Sequence, residues 1–189
     1  MRVRRGLTVV VVPLVAGAIA ACGDKPKPAG VVPGKTLSGE TETGMKLKVE
    51  TFYDPAKDPN LKRINDWRAS NRYAAVDFHR VTADNSGGPG PDNGRTLRFS
   101  PSAQGLATGT GIEARFTCDA LEFEWLPIEQ NQAQRWSDLR REICADGPPK
   151  PEGIPAGTTK VYYLITDRGF AERGIRRMRV FGPRDTELK

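Results

Sequence analysis

The single histidine, the three cysteines and a few acidic pairs are the side chains of this 189-residue chain whose chemistry reaches beyond packing. A Ser–His or Cys–His mechanism would have to run through His79, the only histidine. Asp77, two residues earlier, shares its side of any strand. The simpler reading of that pair is a solvated outer sheet face with an ordinary ionic neighbour. The sequence contains no G-x-S-x-G elbow, no P-loop and no HExxH. Residues 105–111 carry glycines but no phosphate-binding lysine. Two carboxylate pairs, Glu122 with Glu124 and Asp54 with Asp58, have the residue types glycoside hydrolysis uses, although carboxylates on an exposed strand ordinarily serve solubility. Asp84, Asn85, Asp92 and Asn93 offer oxygen ligands, but not at EF-hand spacing. No catalytic residue, no cofactor and no metal is assigned.

The cysteines are more informative. The chain opens with Arg2, Arg4 and Arg5, followed by sixteen uncharged residues, 6–21, that end in small side chains before Cys22. A charged start, a short apolar run and a small-residue cut site form an export signal. The run is shorter than the ~20 apolar residues a spanning helix needs. Ile19-Ala20-Ala21-Cys22 resembles the lipobox of bacterial lipoproteins, with isoleucine where leucine is usual. The resemblance implies cleavage before Cys22 and lipid on its thiol; the alternative is an ordinary secretory signal with Cys22 nearby. Removing residues 1–21 takes away three arginines and no acid, so the net charge falls from +6 to +3. Much of the basicity therefore belongs to export, and nucleic-acid partners are not expected. The arginines at 173, 176, 177 and 179 are the densest basic patch; on a strand, Arg177 and Arg179 share a solvent face.

Once Cys22 is lipidated, Cys118 and Cys144 remain as an even pair in an oxidising compartment. They predict a disulfide closing a loop of ~25 residues, which stabilises by roughly 3 kcal/mol. Two separate buried thiols or metal ligands are the alternatives, and two cysteines with one histidine fall short of a structural zinc set.

These groups need a scaffold. Residues 22–44, rich in Pro, Gly, Thr and Lys, predict a lipid anchor and flexible tether, with the folded domain over 45–183 and a tail at 184–189. Strands are expected at 45–52, 73–82, 95–99, 112–118, 121–125, 161–166 and 177–181. In the second, Phe78 faces inward and Asp77 and His79 outward. In the 112–118 and 121–125 strands, Ile112, Phe116, Cys118, Leu121, Phe123 and Trp125 face inward. Leu61, Ile64 and Trp67 recur three apart, which permits either an amphipathic helix or an irregular connection. Trp136, Leu139, Arg140 and Ile143 fall at helical spacing within the long connection 127–144. Residues 84–94 and 145–157 have turn composition. The pattern predicts a mostly β fold, an antiparallel immunoglobulin-like β-sandwich with a short helix in a long connection; the alternative is a small closed β-barrel.

The order of features resembles the telokin-like, immunoglobulin-type domain of unknown function carried by many bacterial surface lipoproteins. The residues that carry it are the lipobox, the tether, LKVETF, YAAVDFHRV, IPAGTTKVYYLI and the closing MRVFGP. It covers roughly 45–183, and the helical stretch at 127–144 departs from it. The resemblance implies a fold and a location but no activity, because the family offers no catalytic residues to carry over. The expectation is a non-enzymatic module on the extracytoplasmic face of the cell membrane, held there through Cys22. It would bind an envelope protein or a wall polymer, with Tyr162 or Tyr163 as the interface residue because adjacent strand positions cannot both face inward. An envelope glycan hydrolase and a passive surface spacer are the alternatives.

Overall fold

The computed structural model describes residues 34–88, 97–103, 113–144, 154–167, 170, 174–181 and 185–189. The export signal, Cys22, Ile112, the 105–111 glycines and most of the 84–94 and 145–157 loops lie outside these residues. The architecture is mostly β, with two antiparallel sheets that do not close into a barrel. The five-stranded sheet has the order β1 (Thr36–Glu40), β2 (Lys46–Glu50), β3 (Val76–Asp84), β6 (Thr159–Asp167), β5 (Arg115–Phe116). The three-stranded sheet runs β4 (Arg98–Ala103), β7 (Ile175–Phe181), β8 (Thr186–Leu188). Among the described residues there are three α-helices: α1 (Pro59–Ser70), α2 (Thr117–Phe123) and α3 (Ala133–Cys144). No helix among the described residues is long and apolar enough to cross a membrane.

The sandwich core lies between the sheets. Leu47, Val49, Val81, Ala83 and Leu164 from the large sheet meet Phe99, Met178, Val180 and Leu188 from the small one. The second face of the large sheet is also covered. Phe78 and Ile165, cross-strand partners in β3 and β6, join Leu61, Ile64 and Trp67 of α1 with Leu121, Trp125 and Leu139. The order is thus helices, large sheet, small sheet. The sheets touch at two seams. Ser38 N–H donates to Lys189 O at 2.9 Å beside β8, and Ala114 N–H donates to Phe99 O at 2.7 Å beside β4.

Local chemistry sets the element ends. Gly44 takes φ +81° in the β1–β2 hairpin, a left-handed conformation that favours glycine. Asp58 caps α1 by accepting from the N–H groups of Asn60 and Leu61 at 2.9 Å, and Pro59 fills the first helical position without needing a partner. At the other end, the buried Arg68 donates to both Tyr73 O and Ala74 O at 2.7 Å, tying the helix to the approach to β3.

Several expectations are corrected. The folded domain begins at Thr36, inside the supposed tether, because β1 pairs along β2 and buries Leu37. A strand of sequence TLSGE takes its identity from its neighbour, since its own pattern carries one apolar residue. The supposed tail at 184–189 contains β8, whose Leu188 is fully buried. The 121–125 stretch is not a strand. The alternation that places Leu121, Phe123 and Trp125 together on a strand places only Leu121 and Trp125 on one face of a helix, being four apart, with Phe123 opposite. A helix is what forms, ending at Phe123: Leu121 is buried and Phe123 exposed, and Trp125, just past the helix end, is buried in the same core cluster as Leu121. Strand 112–118 shrinks to Arg115–Phe116 beside the Ala114 bridge. The 127–144 connection does form a helix, and 59–70 forms another.

The β1–β8 seam depends on a missing side chain. A Cβ on Gly39 would lie 2.6 Å from Leu188 Cδ2. Gly39→Val is expected to lower the unfolding free energy by about 1–3 kcal/mol in chemical denaturation, because the added methyls displace Leu188. An unchanged midpoint would show that the seam carries no such constraint.

Candidate functional site

The residues singled out by type separate into interior clamps and a helical surface. His79 is fully buried, on the side of β3 that faces the sandwich core, and so not on a solvated outer face. The correction has a simple cause: β3 is covered on both faces, so both halves of its alternation are interior. Phe52 N–H donates to His79 Nδ1 at 3.1 Å, which leaves the proton on Nε2 to donate to Thr166 Oγ1 at 2.9 Å. Phe52 itself sits at φ +52°, uncommon for a residue with a Cβ, and its ring meets the imidazole edge-on at 5.4 Å. His79 thus fastens a strained turn after β2. Burial pushes its pKa down to about 3, so the ring is neutral and unavailable to a solute. Asp77 lies on the same side of β3, opposite Thr166 in register.

Cys118 and Cys144 form the disulfide, with Cα atoms 6.0 Å apart. It ties the first turn of α2 to the last residue of α3. The carboxylate pairs do not form pairs. Glu122 meets Arg140 at 2.8 Å and Glu124 meets Arg115 at 2.6 Å. Asp54 and Asp58 are both helix caps. Asp84 accepts from Ser86 N–H at 2.9 Å and from the Thr159 hydroxyl at 3.1 Å, and Asn85 donates to Ile154 O at 2.7 Å, so both brace loops.

Tyr162 is buried in the sandwich core, against Phe116. Tyr163 points to the helical side, half-buried, and its hydroxyl donates to Asp58 Oδ2 at 2.6 Å. Around it, Glu50, Arg80 and Tyr163 form one row across β2, β3 and β6. Arg80 contacts Glu50 at 2.8 Å and stands 5.8 Å from the Tyr53 ring centre. Burial opposes the charge on Asp58, but the Tyr163 hydroxyl and the two backbone N–H groups hold its carboxyl below the ordinary range. Burial first, and then the bond to Asp58, push the Tyr163 hydroxyl up. Neither tyrosine is a free outward anchor. This row joins α1 to the sheet.

The accessible features lie on the helical layer. A cavity of about 450 Å³ runs between α1 and α3, with Arg63 and Asp66 on one wall, Arg135 and Asp138 on the other, and the buried Trp67 and Leu139 as its floor. Arg63 crosses to Glu142 at 2.6 Å. Two indoles fix the layer: Trp67 Nε1 donates to Trp125 O at 3.0 Å and Trp136 Nε1 to Leu121 O at 2.9 Å. The segment between α2 and α3 then runs along the end of α1, where Tyr73 donates to Leu126 O and Ile128 N–H donates to Asn71 Oδ1. The spacing of Trp136 and Leu139 pointed to α3, while that of Leu61, Ile64 and Trp67 left a helix and an irregular connection open, and the helix α1 is what forms. Their mutual groove could not be read, because it depends on how the layers stack. A groove with charged walls and an apolar floor suits binding. Scans against family models, curated proteins and solved structures each found no match to this chain.

The buried imidazole makes stability pH-dependent. Its folded pKa lies below the ordinary value of 6.5, so protons bind the unfolded chain preferentially and stability falls as pH drops from 6.5 toward 3. In chemical denaturation between pH 6.5 and 5.5, above most carboxylate titration, the slope should climb toward ~1.4 kcal/mol per pH unit, and His79→Gln should remove most of it while costing ~1–3 kcal/mol at pH 7. An equal slope in the variant would show that His79 is not the responsible group.

Proposed function

We propose that this chain is an extracytoplasmic lipoprotein, held to the cell membrane by lipid on Cys22, whose folded domain is a non-enzymatic binding module. The lipobox-like Ile19-Ala20-Ala21-Cys22 and the disulfide support the location, since a stable Cys118–Cys144 bond suits an oxidising compartment. An immunoglobulin-type, telokin-like relation is part of this reading, supported by the antiparallel sandwich and by the order of the strand motifs. The helical layer on the outer face of the large sheet would be the addition that sets this domain apart.

The observation that carries the binding reading is the α1–α3 groove. Its walls carry Arg63, Asp66, Arg135 and Asp138 over an apolar floor, with Arg63 paired to Glu142, Asp66 to Lys62 and Asp138 to Arg141 in surface ion pairs that a charged partner can exchange. Such a surface fits an envelope protein or a wall polymer bearing complementary charges. A module of this kind works by holding its partner at the membrane, where the anchor fixes its local concentration. The buried, doubly bonded His79 and the ion-paired Glu122 and Glu124 weigh against acid–base or nucleophilic work.

Chemical cross-linking on intact cells tests this. One recurrent cross-linked partner is expected, reduced at least about tenfold by the double change Arg63→Glu and Arg135→Glu, as the loss of two rim or groove charges would give. No recurrent partner, or a partner indifferent to both substitutions, would contradict a binding role for the groove.

A further inference from the structure

Of the four large hydrophobic side chains that stand exposed among the described residues, three lie within 123–128: Phe123 at 70%, Leu126 at 45% and Ile128 at 64%. They form a short ridge where α2 ends and the chain turns toward α3. Much of the backbone beneath them is already satisfied. Glu124 and Trp125 N–H both donate to Ala120 O, at 2.9 and 2.7 Å. Trp125 O accepts from Trp67 Nε1 at 3.0 Å and Leu126 O from the Tyr73 hydroxyl at 2.7 Å. Ile128 N–H donates to Asn71, and Pro127 has no N–H. A protein–protein contact does not require this, because water or a partner can satisfy exposed backbone groups. Insertion toward acyl chains favours it, because acyl chains offer no hydrogen bonds.

Beside the ridge, Arg140 pairs with Glu122, and Arg115 bridges Glu124 and Asp167; the two arginine side chains remain 43% and 39% exposed, so each can also turn toward a headgroup phosphate. The anchor supplies the geometry. Cys22 is twelve residues before Gly34, where the described residues begin, a span of at most ~43 Å whatever path it takes. A domain of this size has a radius of gyration of ~15 Å, so the tether is only about as long as the domain is wide.

We propose that the Phe123–Leu126–Ile128 ridge is a lipid-docking edge. It seats in the headgroup–acyl boundary of the membrane that carries the anchor and orients the domain on that surface. The inference rests on the lipoprotein reading above and adds a second, non-covalent membrane contact to it. One lipid-chain anchor leaves a domain free to tumble; a seated ridge fixes which face meets the envelope.

The test places the photoreactive residue p-benzoylphenylalanine at Ile128 in the full chain, expressed in a lipoprotein-competent bacterium. A control carries it at Ser38, exposed on β1 and nearer the anchor in sequence. After illumination of intact cells, about tenfold more phospholipid adduct is expected at Ile128 than at Ser38. Equal labelling at the two sites, a dimer-sized adduct, a protein adduct in place of lipid, or no adduct would each overturn the proposal. Incorporation of an alkyne fatty acid in the same cells reads the anchor separately. Lipid adducts at Ile128 in an unlipidated chain would uphold the ridge while sinking the anchor.

Discussion

The antiparallel pair of β3 and β6 is the constraint from which the rest of the molecule follows. Nine residues of each strand face one another, and the pair is covered on both sides. Val81, Ala83 and Leu164 look into the sandwich; Phe78 and Ile165 look into the helical layer. Each fully buried large side chain of this kind contributes roughly 1.5–3 kcal/mol. Both neighbours of the pair therefore have to exist: a second sheet on one side and helices on the other. His79 and Tyr163 show what this costs in polarity. Each is a polar group drawn into a layer by its strand register, and each is given a partner there: Thr166 and the Phe52 N–H for His79, Asp58 for Tyr163.

The helical layer has fewer buried residues to hold it, and it is fastened by directed bonds. In α3 only Leu139 is fully covered. The indole of Trp136, the Arg140–Glu122 and Arg63–Glu142 ion pairs and the Cys118–Cys144 bond make up the difference. Exposed ion pairs of this type are each worth ~0–1 kcal/mol, so the covalent tie and the apolar burial of Trp67 and Leu139 dominate. An element held this way can present polar walls to solvent, as α1 and α3 do, without sacrificing core.

The sequence showed what depends on local pattern. The two spaced cysteines, the periodicity of α3, the outward Arg177 and Arg179 of β7 and the central strands were all legible. What was missed depends on partners far along the chain. TLSGE becomes a strand because β2 lies beside it, and Leu188 is buried because Gly39 leaves room. LEFEW satisfies both a two-residue and a four-residue repeat, and Trp67 decides between them by bonding Trp125 O. His79 was misplaced for the same reason: alternation tells which residues share a face, but not that both faces are interior. The groove lies between elements 59–70 and 133–144, so no local signal marks it.

These features describe a small domain built on a sheet covered on both faces, which the proposed lipid on Cys22 would hold at a membrane. The intact mass of the protein purified from membranes of a lipoprotein-competent host, before and after reduction and alkylation, joins the anchor to the fold in a single experiment. The account predicts the mass of residues 22–189 plus lipid, with two thiols alkylated only after reduction. An unlipidated chain, or two thiols that react before reduction, would contradict it.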